Sequence, residues 1–128
     1  MVLEGSTKQL HVVLDLDETI TAHPLFFSWL SSALRRDGHR VTVLTLRRSR
    51  ETTIRDLEAR NITWDVLLVL PMDYDGDIIQ WKLARVCELQ PDVVVDDLVE
   101  FVNQVDPSIF VLVPRDQEMG PLARVMDG

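Results

Sequence analysis

The sequence predicts a three-layer α/β domain, a five-stranded parallel sheet with helices on both faces. Five short apolar runs alternate with longer segments whose apolar residues recur at three- and four-residue spacing. The short runs are continuously apolar, as strands covered on both faces must be. The length, 128 residues, suits one domain with one core, about residues 10–113, followed by a tail over 114–128.

Each element has a local reason. His11–Leu16 (HVVLDL) is β-branched and reads as strand one. Pro24 opens a helix, because its fixed φ and missing N–H suit a first helical position. Phe26, Trp29, Leu30, Ala33 and Leu34 then mark its inward face, and Asp37-Gly38 stops it. Val41–Thr45 (VTVLT) is strand two. Ser49 caps a helix through about Arg60, largely polar, with Ile54 and Leu57 inward. Val66–Leu70 (VLLVL) is strand three, closed by Pro71. Asp77 caps a helix through about Leu89, with Ile79, Leu83, Val86 and Cys87 inward, and Pro91 ends it. Asp92–Asp96 (DVVVD) is strand four. Asp97 is placed to cap a short helix carrying Leu98, Phe101, Val102 and Val105. Ile109–Val113 (IFVLV) is strand five, ended by Pro114.

Composition narrows the class. Apolar residues make up 46% and charged residues 27%, a globular balance. The net charge of −8 disfavours non-specific nucleic-acid binding. The single cysteine, Cys87, cannot form an intrachain disulfide and is expected in the core. The N-terminal MVLEGSTKQL lacks the layout of a signal peptide, and no apolar run approaches the roughly 20 residues that span a bilayer. A cytoplasmic protein is therefore expected.

Right-handed crossovers place every strand's C-terminal end on one rim, where ligands of such sheets bind. Asp15 and Asp17 then stand at the end of strand one, Thr45 at the end of strand two, and Asp96 and Asp97 at the end of strand four. Lys82, early in the helix before strand four, is within reach of them. Carboxylates gathered this closely repel one another and must protonate or take a cation. Mg²⁺ suits them, since it accepts hard oxygen ligands and leaves positions for water and phosphate. A lysine and a threonine hydroxyl complete what phosphoryl transfer chiefly needs, positioning and charge neutralisation. A carboxylate can also serve as nucleophile.

The run Asp15-Leu16-Asp17-Glu18-Thr19 after an apolar strand resembles the DxDxT motif of the haloacid dehalogenase (HAD) superfamily. Thr45 ending VTVLT, Lys82, and Asp96-Asp97 after Val93–Val95 resemble its second, third and fourth motifs, in the family's order. The resemblance implies a Rossmann-like fold and a Mg²⁺-dependent phosphohydrolase. Asp15 would attack phosphorus, and Asp17 would act as general acid and base and lend a backbone carbonyl to the metal. Asp96 would ligate the metal, with Asp97 either assisting or capping a helix. Thr45, Leu46, Arg47 and Lys82 would contact the substrate. Only 25 residues separate Thr19 from Thr45 and 36 separate Thr45 from Lys82, so neither gap holds a cap domain. An open site of this kind suits a large phosphorylated substrate or an oligomer whose neighbour covers the rim.

Arg47, Arg48 and Arg50 beside the rim suggest an anchor for a second phosphate or a nucleic-acid backbone. The stretch from Leu44 to Pro71 is also similar to the phosphatase part of polynucleotide kinase-phosphatases, which would make the substrate a nucleic-acid end. A non-catalytic binding or regulatory module is the reading from a different class. A phosphorelay receiver is the close structural rival, but its phosphorylated Asp follows strand three and its Lys follows strand five. Here those strands end in Leu70-Pro71 and Val113-Pro114. Asp73, Asp75 and Asp77 with Gly76 fail the calcium-loop pattern and read as a turn. His23 and His39 read as surface residues, and Trp29, Trp64 and Trp81 as packing residues.

Overall fold

The computed structural model describes residues 8–114. The tail expected over 114–128 lies, beyond its first residue, outside the described residues. The strands are β1 (His11–Leu14), β2 (Arg40–Thr45), β3 (Val66–Val69), β4 (Val93–Val95) and β5 (Phe110–Leu112). The helices are α1 (Pro24–Arg36), α2 (Arg50–Ala59), α3 (Ile78–Leu89) and α4 (Val99–Val102), and a turn over Leu16–Ile20 is closed by Thr21 N–H donating to Leu16 O at 3.0 Å. All strands run parallel in the order β3-β2-β1-β4-β5. The predicted fold class holds. The order is also not the 2-1-3-4-5 of receiver-type sheets. The described residues contain no cap domain, and none of their helices is long and apolar enough to cross a membrane.

Two apolar layers hold the sheet. Val12, Leu14, Val41, Val43, Leu67 and Val95 pack against Phe27 of α1 and Leu57 of α2. Val13, Leu44 and Val94 pack on the other side against Trp81 and Val86 of α3 and Phe101 of α4. The alternation follows from the pleat, which sends neighbouring side chains to opposite faces. It is why these strands read as unbroken apolar runs. Both predicted caps at Ser49 and Asp77 are present. Ser49 accepts from Thr52 N–H, and Asp77 accepts from Ile79 and Gln80 N–H.

Three sequence expectations need correction here. In α1 the buried stripe is Phe27, Leu30, Ser31 and Leu34 rather than one through Phe26 and Trp29, which are 53% and 61% exposed. The buried Ser31 explains the rotation. Its hydroxyl donates to Ser28 O at 3.3 Å and accepts from Thr63 N–H at 3.2 Å, so a polar residue occupies the inward face. Trp29 is thus not a packing residue, whereas Trp81 is buried and Trp64 packs against the core. Cys87 is exposed, because the buried line of α3 runs through Trp81, Lys82 and Val86. Asp97 does not cap α4. Leu98 stands at that N-cap, and Asp96 Oδ1 accepts its N–H at 2.9 Å.

On the α1 side, the edge strand β5 has no helix over it among the described residues. A groove of about 570 Å³ lies between His23, Phe26 and Leu30 and the strand-end residues Val95, Leu112 and Val113.

Candidate active site

The strand order reverses between β1 and β4, and Asp15 and Asp96 follow those two strands directly. Backbone bonds lock the pair into the rim. Asp15 N–H donates to Val95 O at 2.9 Å and Asp96 N–H to Leu112 O at 3.1 Å. Thr45, the last residue of β2, is the third neighbour. Lys82 arrives from α3, whose cap at Asp77 starts the helix where one turn later a side chain meets the rim.

Lys82 is 2% exposed, yet charged groups surround its tip. Its Nζ lies 2.8 Å from Asp15 Oδ1 and 2.5 Å from Asp96 Oδ2, and 5.0 Å from the centre of the Phe101 ring. Thr19, fully buried, donates to Asp15 Oδ2 at 3.0 Å and sits 3.4 Å from Asp97 Oδ1. Asp15, Asp96 and Asp97 each offer a carboxylate oxygen within 4.8 Å of the others. One lysine cannot neutralise three carboxylates, so a divalent cation fits the remaining charge and the hard oxygen set.

Burial pushes the Asp15 carboxyl up to about 7, with the Asp96 charge adding to the rise and Lys82 opposing it. Burial likewise raises Asp96, against Lys82. Burial pulls Lys82 down, but the two carboxylates outweigh it and hold the ammonium above its usual value. A proton on Asp15 competes with a cation for the same oxygens. Folding favours the neutral carboxyl, so the stability Asp15 contributes is full below its ordinary value of 3.8 and is lost as pH rises through about 7. If the three carboxylates hold a divalent cation, its binding, probed with Mg²⁺, is expected to strengthen about tenfold from pH 6 to pH 8, for one proton released near pH 7. Calorimetric titration at both pH values checks this. Equal affinities would place the cation away from Asp15.

Thr45 is buried, and its Oγ1 accepts Arg47 N–H at 3.1 Å, which leaves the hydroxyl proton to donate. Leu46 is half-buried against the α3 and α4 layer. Asp17 stands apart from the carboxylate cluster. The chain is extended at Asp17 (φ −73°, ψ 133°) and left-handed at Glu18 (φ 65°, ψ 0°). Across this turn Thr19 points in towards Asp15, while the Asp17 carboxylate pairs with Arg47 at 2.7 Å. The Asp17 hydrogen bond also raises the guanidinium above its ordinary value, with burial opposing.

The three arginines beside the rim each have partners within the protein. Arg48 Nη1 lies within 3.0 Å of the carbonyls of Pro71 and Met72 and 2.8 Å from that of Tyr74, and Arg50 donates to Leu67 O at 2.8 Å. Both tie loops and strands together, because their long side chains reach unpaired backbone oxygens first. Arg47 is occupied by Asp17 and Asp56.

Sequence reasoning brought Asp15, Thr45, Lys82, Asp96 and Asp97 to one rim, and the structure does the same. It missed the contacts of Thr19, although this residue closes the DLDET run. It also missed Asp56, whose i,i+4 pairing with Arg60 is a local signal but whose contact with Arg47 is not.

No family model matches the chain, and no curated protein matches it. Solved structures share its fold. A chain of the Pnkp1/Rnl/Hen1 complex is similar with a TM-score of 0.67 and 20% identity, over 84% of this chain and 47% of that one. This chain thus spans about half the length of that relative. The core domain of a candidate phosphoglycolate phosphatase from Streptococcus pneumoniae TIGR4 is similar with a TM-score of 0.52 and 12% identity, over 94% and 97% of the two chains. A universal stress protein in complex with cAMP is similar with a TM-score of 0.53 and 12% identity, over 85% and 98%. At these identities the likeness shows the fold alone, a Rossmann-like α/β domain with a five-stranded parallel sheet and no cap domain among the described residues. Function has to be argued from the site.

Proposed function

We propose that the chain is a Mg²⁺-dependent phosphomonoesterase working through an aspartyl-phosphate on Asp15. The observation that carries this reading is the buried Asp15–Lys82–Asp96 cluster at the strand-order switch point, with Asp97 beside it. The carboxylates of Asp15, Asp96 and Asp97 and the backbone carbonyl of Asp17 would hold the ion, which would neutralise charge on the phosphoryl oxygens.

The residues then have distinct tasks. An Asp15 oxygen attacks phosphorus, forming an acyl-phosphate bond as the ester P–O bond breaks. Asp17 gives its proton to the departing oxygen, then takes a proton from the water that attacks the acyl-phosphate. Inorganic phosphate leaves and the Asp15 carboxylate is restored. Thr45 donates its hydroxyl proton to a phosphoryl oxygen. Lys82 offsets the charge of Asp15 and of the transferring group. Thr19 holds the Asp15 oxygen that Lys82 does not.

A narrower reading makes the substrate a polynucleotide end. It is favoured by the likeness to a chain from the Pnkp1/Rnl/Hen1 complex. The open rim would admit so large a substrate, or a second protomer. The net charge of −8 and the engaged Arg48 and Arg50 weigh against it.

The test is phosphate release from a panel of phosphomonoesters, including 3′- and 5′-phosphorylated oligonucleotides, with Mg²⁺ and with EDTA. Release that needs Mg²⁺ is expected, and the best substrate separates the broad reading from the narrow one. A folded protein inactive on every member would favour the non-catalytic module.

A further inference from the structure

This inference rests on the phosphatase reading and concerns how its acid/base is held in place. The Asp17 carboxylate is 54% exposed and gains no support from the buried cluster. One neighbour orients it. Arg47 Nε lies 3.2 and 3.1 Å from Asp17 Oδ1 and Oδ2, and Nη2 lies 2.7 Å from Oδ1. The other end of the guanidinium is also tied, with Nη1 donating to Asp56 Oδ2 at 2.8 Å. Asp56 Oδ1 in turn accepts from Arg60 Nε at 2.8 Å. The result is a ladder of alternating charge, Arg60–Asp56–Arg47–Asp17, rooted in the C-terminal half of α2.

The backbone adds a further constraint. Arg47 N–H donates to Thr45 Oγ1, so the residue that would contact phosphate also anchors the start of the ladder. A planar guanidinium bonded on both edges has little rotational freedom, and it passes that order to the carboxylate it grips. Three of its five N–H groups are engaged by carboxylates on two sides, Nε and Nη2 by Asp17 and Nη1 by Asp56.

The geometry points to Arg47, braced by Asp56, as the positioning residue for the Asp17 acid/base rather than as a ligand of the substrate phosphate. Holding a proton-transfer group in register matters because a misplacement of about 1 Å can cost on the order of 100-fold in rate. Arg47 itself transfers no proton and acts through Asp17. Its loss should act on kcat and spare binding.

The experiment measures kcat and KM for Arg47→Met, Arg47→Lys and Asp56→Asn with Mg²⁺, on an alkyl phosphate and on p-nitrophenyl phosphate. Arg55→Ala, at an exposed pair on α2 outside the ladder, is the control. For the alkyl ester, kcat should fall about 10- to 100-fold in Arg47→Met, with KM within about twofold of wild type. Asp56→Asn should fall in the same direction by less. The loss should be smaller for phosphorylation by p-nitrophenyl phosphate, whose leaving group departs without a proton. Arg47→Lys should recover little, because an ammonium cannot grip both oxygens of a carboxylate in plane.

A KM increase with kcat retained on both esters would make Arg47 a phosphate ligand and overturn the inference. Unchanged kcat in both Arg47→Met and Asp56→Asn would overturn it as well. Melting curves identify a variant that fails to fold, and Arg47→Lys and Asp56→Asn then decide. Failure of the underlying reading is visible separately, as wild-type protein with no turnover that Asp15→Asn removes, and that result sinks the positioning role too.

Discussion

Asp15→Asn is expected to lower phosphomonoester turnover by at least about 10³-fold while the protein stays folded. An amide lacks the charge and nucleophilicity that an acyl-phosphate requires. The substitution is nearly isosteric, so the backbone bond from Asp15 N–H to Val95 O and the packing around it survive. Electrostatics also favour folding of the variant. Lys82 keeps Asp96 at 2.5 Å, and removal of one of its two carboxylate partners brings the buried cluster closer to neutrality. The melting temperature in EDTA should therefore match or exceed that of wild type. Turnover and thermal melts of the same preparation test both halves. Retained turnover would reject Asp15 as nucleophile. A collapsed fold would mean that Asp15 serves the structure first.

Lys82→Met should do the opposite to stability. Methionine fills most of the volume but leaves two buried carboxylates facing each other without a counter-charge. Breaking a buried ion pair from one side costs roughly 3–5 kcal/mol. In a domain of this size that corresponds to a fall of roughly 10–20 °C in melting temperature. The loss should shrink as pH falls, because the raised Asp15 and Asp96 carboxyls then take up protons. Added Mg²⁺ should recover part of it by supplying positive charge. Melting curves at pH 5 and pH 8, with Mg²⁺ and with EDTA, give the four values needed. A variant as stable as wild type at pH 8 in EDTA would show that Lys82 does not stabilise the cluster. Turnover should also fall steeply, since Lys82 would face the phosphoryl group.

Much of the fold was legible because its signals are local. Five apolar runs and the periodic segments between them are set by residues only a few positions apart. Ser49 and Asp77 cap α2 and α3 through bonds spanning two or three residues. The rim positions of Asp15, Thr45 and Asp96 follow from strand ends and crossover handedness, so no side-chain detail was needed to bring them together. Lys82 was legible for a different reason. Its place in the order of the motifs, early in the helix before strand four, resembled a family pattern, although nothing local shows that its tip is buried.

What the sequence determined by itself is the α/β class, the run of elements and the gathering of chemistry on one rim. The tertiary structure alone decided which face of α1 is buried, because that depends on Ser31 meeting Thr63, 32 residues away. It alone turned Arg47 towards Asp17 across 30 residues and towards Asp56, and drew Arg48 and Arg50 to backbone oxygens. It also placed Thr19 beside Asp15 and put Leu98, not Asp97, at the N-cap of α4, with Asp96 accepting the Leu98 N–H. The physical reason is common to all of these. Backbone periodicity is a short-range property of the chain, whereas a charged or polar side chain takes whichever partner the packed fold brings within about 3 Å, and that choice is made only when distant segments meet.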